Sequence, residues 1–196
     1  MKKVKRTLGM MALAATTVLT VSCKDVNKNE PAAPMSNEMH QESMDDKDDM
    51  AMNDNQDAKA EAILNDYFNL KDALVGDDND KAKELGNTLA QSLKSFDASN
   101  YSDNETSELN DIIEDATEHA EHISESDIKH QREHFKILSK DVTDMVAITG
   151  TKTKLYEQFC PMYDGGTAWL SKEENVLNPY YGSSMLRCGK VQREIN

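Results

Sequence analysis

Two short stretches near the C-terminal end hold the residues best suited to chemistry, Cys160-Pro161-Met162 and Met185-Leu186-Arg187-Cys188-Gly189. Each presents one thiol and one thioether within a few positions. Such soft ligands select Cu(I) and Ag(I) over Mg or Ca. Cys160, Met162, Met185 and Cys188 would supply a linear or trigonal Cu(I) site, with a histidine or a methionine to complete it. Gly165-Gly166, Trp169-Leu170-Ser171 and Asn178-Pro179-Tyr180-Tyr181-Gly182 lie between the arms and read as turn-formers that fold them together. The same spacing serves an alternative without metal. A Cys160–Cys188 disulfide would close a loop of roughly 30 residues and contribute about 3–4 kcal/mol in the chain-entropy picture. Met162 and Met185 would then be core filler.

Histidines supply the next candidates. His119 and His122 stand at i, i+3 and His130 and His134 at i, i+4, so each pair can share one helical face. His119 falls on an apolar seam. It either meets Gln131 across an antiparallel hairpin or turns toward the sulfurs as a further ligand; the other three are expected on the surface. A third group lies upstream, where Met35, Met39, His40, Met44, Met50 and Met52 fall within 18 residues. Met39-His40 and Met50-x-Met52 resemble the methionine motifs of exported copper-handling proteins, since thioethers do not oxidise to disulfides. They are either a secondary, collecting metal arm or incidental residues of a linker. No nucleophile elbow, phosphate-cradling glycine loop or HExxH is present, so no reaction is expected and the chain is read as non-enzymatic.

These residues need a scaffold, and residues 58–149 carry its pattern. Ile63, Tyr67, Leu70 and Leu74 repeat at helical spacing before Gly76-Asp77-Asp78, and Ala82, Leu85, Leu89, Leu93 and Phe96 form a second stripe. Leu109, Ile112, Ala116, His119 and Ile123 form a third, with Ser102 or Asp103 as its cap. Ile128, Gln131, Phe135, Leu138, Val142 and Met145 form a fourth, capped by Ser126 or Asp127. Short connections favour an up-and-down arrangement. The expected fold class is all-α: an up-and-down four-helix bundle with an irregular Cys/Met-containing C-terminal segment, residues 151–196, packed on it. That segment is rich in Gly, Pro and Tyr, holds the only Trp, and has room for one short hairpin.

The N-terminal end bears on location. Met-Lys-Lys-Val-Lys-Arg precedes an uncharged apolar run from Leu8 to about Val21, shorter than the roughly 20 residues a span needs. It fits a secretory signal over residues 1–22. Leu19-Thr20-Val21-Ser22-Cys23 resembles a lipobox, which makes Cys23 the lipidated residue. Residues 23–57 are then a disordered Met/Asp-rich tether, and 58–196 the domain it holds in the cell envelope, facing the periplasm or the cell exterior. The precursor carries −14, and loss of Lys2, Lys3, Lys5 and Arg6 makes the mature chain more acidic still. Such a chain repels nucleic acid and attracts cations.

Several of these segments, taken together, resemble domain-of-unknown-function family 3347. They are Tyr67-Phe68-x-Leu70-Lys71-Asp72-Ala73-Leu74-Val75, His119-Ala120, Ile128-x-x-Gln131-Arg132-x-x-Phe135, Leu155-Tyr156, and the Cys160, Trp169, Asn178 and Cys188 motifs. The likeness covers about Ala60 to Ile195. It implies an exported protein of a Gram-negative bacterium and, because the domain also occurs fused to adaptor subunits of heavy-metal efflux pumps, handling of copper or silver. The long coiled-coil and barrel segments of those adaptors are lacking. The resulting expectation is an envelope lipoprotein that binds Cu(I) or Ag(I) and delivers it to an efflux adaptor or pump. The alternative is an interaction or scaffold module closed by a Cys160–Cys188 disulfide.

Overall fold

A computed structural model describes the backbone of residues 46–196 and the side chains from Ala58 onward. The expected signal segment, Cys23, Met35, Met39, His40 and Met44 lie outside the described residues, as do the side chains of Met50 and Met52. Four helices come first: α1 (Asp46–Val75), α2 (Asn79–Lys94), α3 (Asp103–Glu125) and α4 (Ile128–Thr149). Each packs on the next and α1 closes on α4, which is the expected up-and-down bundle. Helix α1 begins at Asp46, so the last residues of the expected tether, 46–57, belong to a helix.

Local chemistry sets the helix ends. Asp78 Oδ1 accepts from the Lys81 N–H at 3.0 Å at the head of α2. The Glu105 carboxylate accepts from the Ser102 N–H at 3.1 Å and its hydroxyl at 2.7 Å ahead of α3. Asp127 Oδ1 accepts from the N–H groups of Lys129 and His130, at 3.0 and 3.1 Å, at the head of α4. Each cap satisfies donors that the helix cannot. Only Ser126 and Asp127 separate α3 from α4, so the two helices are tightly antiparallel.

The C-terminal segment is more regular than expected, and the all-α class is corrected to a mostly helical fold with a sheet. Strands β1 (Leu155–Cys160), β2 (Thr167–Ser171) and β3 (Lys190–Ile195) form an antiparallel sheet in the order β2-β1-β3, with a bulge at Glu157/Gln158. The β1–β2 hairpin was within the sequence pattern; β3 was not. Lys190-Val191-Gln192-Arg193-Glu194-Ile195 is largely exposed and charged, as an edge strand is, so it lacks the apolar signal of a buried strand.

The sheet shares one core with the bundle. Tyr67 of α1 stacks on Phe135 of α4 with centroids 5.2 Å apart, Phe135 meets Tyr180 at 5.8 Å, and Tyr180 meets Trp169 edge-on at 5.7 Å. The buried Tyr67 hydroxyl contacts Ser139 Oγ at 2.9 Å and accepts from the Leu170 N–H at 3.1 Å. Among the described residues, no helix is long and apolar enough to cross a membrane.

Candidate metal centre

Cys160 closes β1, and Cys188 lies in the turn that leads into β3, the strand paired with β1. Antiparallel pairing therefore carries the two arms to one place. Their Sγ atoms are 2.8 Å apart, and both are free thiols. The juxtaposition expected of Cys160 and Cys188 is present, with the two sulfurs in contact and not bonded in this structure. Cys160 is buried and Cys188 half-buried, so the pair has one face toward solvent.

Asn178 organises this corner. It is fully buried; its Nδ2 donates to the Cys188 carbonyl at 2.7 Å, and its Oδ1 accepts from the N–H groups of Tyr180 and Tyr181 at 2.8 and 3.1 Å. The Cys188 N–H donates to the Met185 carbonyl at 2.9 Å, closing the turn. Gly189 has φ of +142°, and a Cβ there would lie 2.9 Å from the Phe159 carbonyl oxygen. Only glycine lets the Cys188 arm come this close to β1.

Electrostatics divide the pair. Burial pushes the Cys160 thiol up, but the Cys188 thiol, the backbone N–H groups of Met162 and Tyr163, and the Asn178 side chain outweigh it and hold Cys160 below the usual thiol value. Cys188 is raised, chiefly by its contact with Cys160. Of the two, Cys160 is therefore the thiol that gives up its proton more readily.

Met162 and Met185 flank the pair but are 62% and 40% exposed, not core filler. His119 goes elsewhere. Its Nδ1 lies 2.8 Å from His134 Nδ1 of α4, and its Nε2 lies 3.5 Å from Asp115 Oδ1. Both ring nitrogens are engaged along the α3–α4 seam, which corrects its assignment to the sulfur site. The expected Gln131 partner is also corrected. Gln131 Nε2 instead donates to the carbonyls of Ile123, Ser126 and Asn79, at 3.3, 3.1 and 3.1 Å. The two-residue connection shifts the register by about one turn and puts His134 opposite His119.

Of the other histidines, His122 and His130 are exposed, as expected, and His134 is half-buried. His122 and His130 stack on His134 with centroids 4.6 and 4.8 Å apart. Burial, then the charges of His119, His122 and His130, hold His134 below the ordinary imidazole range. One turn farther along, ligand atoms of Asp115, His119 and Asp141 lie within 4.8 Å of one another. The pattern His119/His122 and His130/His134 was visible in the sequence. Asp141 was not, because one aspartate among many carries no signal. A separate open groove of about 670 Å³ between α4 and Tyr163, Tyr180 and Tyr181 contains neither thiol nor imidazole.

Comparison with known families matches residues 63–154 to the family described as protein of unknown function (DUF3347). The likeness to DUF3347 spans residues 63–154. The match covers the C-terminal part of α1, then α2 to α4, and stops before Cys160, so the matched segment holds the imidazole and carboxylate cluster while both thiols lie beyond it. No curated protein and no solved structure matches the chain.

Proposed function

We propose that this chain is an exported, lipid-anchored protein of the cell envelope that captures Cu(I) or Ag(I) between Cys160 and Cys188 and passes it to a heavy-metal efflux system, without catalysing a reaction. The observation that carries this is the meeting of two thiols from separate arms, 2.8 Å apart, at a half-open corner of the fold. Two metal–sulfur bonds of about 2.3 Å place sulfurs roughly 3.5–4.5 Å apart, so the pair must open by about an ångström. Cys188 stands in a turn rather than inside a strand, which gives it room to move. The lowered Cys160 thiol favours the anionic ligand that metal needs, and loss of the Cys188 proton completes the pair. Exposed Met162 and Met185 are suited to a first, weak contact with the ion before ligand exchange to the thiolates.

The test is titration of the reduced mature chain against a Cu(I)-chelating dye. One equivalent is expected to leave the dye, and Cys160→Ser or Cys188→Ser should each abolish that transfer. Binding should weaken on acidification, because protons compete for the thiolates. A reduced protein that takes no Cu(I) from the dye rejects the reading. The same sulfur contact favours one second reading, a scaffold module whose pair oxidises to a disulfide. Mass spectrometry of protein from intact cells, with and without thiol alkylation, separates them: cysteines that resist alkylation until strongly reduced favour the scaffold.

A further inference from the structure

Four of the chain's five histidines gather along the α3–α4 seam, and the carboxylates of Asp115 and Asp141 continue the same row. On α3, Asp115 and His119 are spaced i, i+4 on one face; on α4, His134 and Asp141 are spaced i, i+7. We propose that Asp115, His119 and Asp141 form a second metal site, distinct from the thiol pair, which takes a divalent transition cation of the Zn(II) class, with His134 holding the ligand imidazole in place.

Asp141 supplies the decisive observation. It is 5% exposed, and its Oδ2 has no hydrogen-bond partner among the described residues. A carboxylate oxygen withdrawn from water without a partner is costly, and here a second carboxylate, Asp115, lies beside it. A cation between them offsets both the desolvation and the repulsion. The geometry suits one. Bonds of about 2.0–2.2 Å to nitrogen and oxygen set donor atoms roughly 3–4 Å apart. His119 Nε2 and Asp115 Oδ1 are 3.5 Å apart, and all three donors fall within 4.8 Å of each other. Small side-chain rotations close the set.

His134 has the position of an outer partner. With the proton of His119 on Nδ1 and donated to His134 Nδ1 at 2.8 Å, the lone pair on His119 Nε2 faces the carboxylates. Metal-bound imidazoles are commonly fixed by such a bond on the far nitrogen. His122 and His130 lie against His134 and limit its rotation. Asp115 is half exposed and gives the ion a way in. One imidazole with two carboxylates is a borderline set that suits Zn(II) or its neighbours; Ca(II) and Mg(II) prefer oxygen alone, and Cu(I) prefers sulfur.

Zn(II) titration by calorimetry of the mature chain carrying Cys160→Ser and Cys188→Ser tests the site with the thiols removed. One equivalent is expected. Asp141→Asn and the exposed Asp115→Asn should each weaken it by more than the roughly 10–100-fold expected for His134→Asn, an outer partner. The exposed position of Asp115 keeps its variant folded, and circular dichroism verifies this for all three. Co(II) bound in place of Zn(II) should show visible d–d bands without the near-ultraviolet thiolate band. Absence of Zn(II) binding in the thiol-free chain, or parental affinity in Asp115→Asn and Asp141→Asn, overturns the proposal. Because the thiols are absent throughout, neither outcome bears on Cu(I) capture.

Discussion

Asp141 faces inward from α4, and nothing in the sequence around it says so. Its neighbours Lys140 and Asp144 form an ordinary i, i+4 surface pair, and the periodicity at Leu138, Val142 and Met145 defines a seam that leaves position 141 at its edge. Burial first, and then the charge of Asp115, push the Asp141 carboxyl up to about 7, with Lys140 opposing. A carboxyl raised from about 3.9 binds its proton more tightly in the folded state. Its penalty is therefore full above pH 7 and is relieved as pH falls from about 7 toward 4. In metal-free protein Asp141→Asn is expected to raise stability by on the order of 2 kcal/mol at pH 8 and by little near pH 4. Urea midpoints of parent and variant at the two pH values measure this. His134 works in the other direction, since its lowered value makes its contribution full above about pH 6.5 and lost as pH falls. It is present in both proteins and drops out of the difference. An equal gain at both pH values would show that the Asp141 carboxyl is not the source.

At the scale of elements, the helices were legible because their apolar residues repeat over several turns and their ends carry caps. The C-terminal segment was not, because its order comes from contacts distant in sequence. Arg132 of α4 shows this. Its Nε donates to the Pro179 carbonyl at 2.8 Å, and its Nη2 to the Leu74 carbonyl at 2.8 Å and to Asp77 Oδ1 at 2.5 Å. Asp77 Oδ2 in turn accepts from the Ser183 N–H at 3.0 Å. The Ser183 hydroxyl and Arg132, in that order, hold the Asp77 carboxyl down at about 2. The α1–α2 turn, α4 and the 3-10 turn at Gly182–Ser184 are thus tied at one point. Gly182 has φ of +52°, and a Cβ there would run into Asp77 and Arg132. Gly182→Ala combines a left-handed backbone with a clash against pinned side chains, and should cost about 2–3 kcal/mol. Because the same turn precedes Asn178-held Cys188, the variant should also bind Cu(I) more weakly. A loss below about 0.5 kcal/mol in urea unfolding, the range of ordinary surface changes, would mean the turn is not docked as described.

For the whole molecule, the point at issue is whether the thiol-bearing sheet is an appendage to the bundle or part of it. The DUF3347 match ends at residue 154, which taken alone suggests a helical domain followed by a separate tail. The packing argues otherwise. Phe135, stacked on Tyr67, is covered by Tyr180, which Trp169 meets edge-on, and the Tyr67 hydroxyl is satisfied in part by the backbone of β2. A bundle cut at Gly150 would expose those aromatic faces and leave a buried hydroxyl short of a partner, which makes the helices dependent on the sheet. The chain offers a direct measurement, because its single tryptophan, Trp169, is buried in the sheet while the far-ultraviolet dichroism is dominated by the helices. In urea, tryptophan fluorescence and dichroism should trace one coincident transition, as a two-state unit does. Two separated midpoints, with fluorescence changing first, would make the sheet an independent module. In the coincident case the thiol pair rests on the full stability of the bundle, and its two arms stay together for as long as the helices hold.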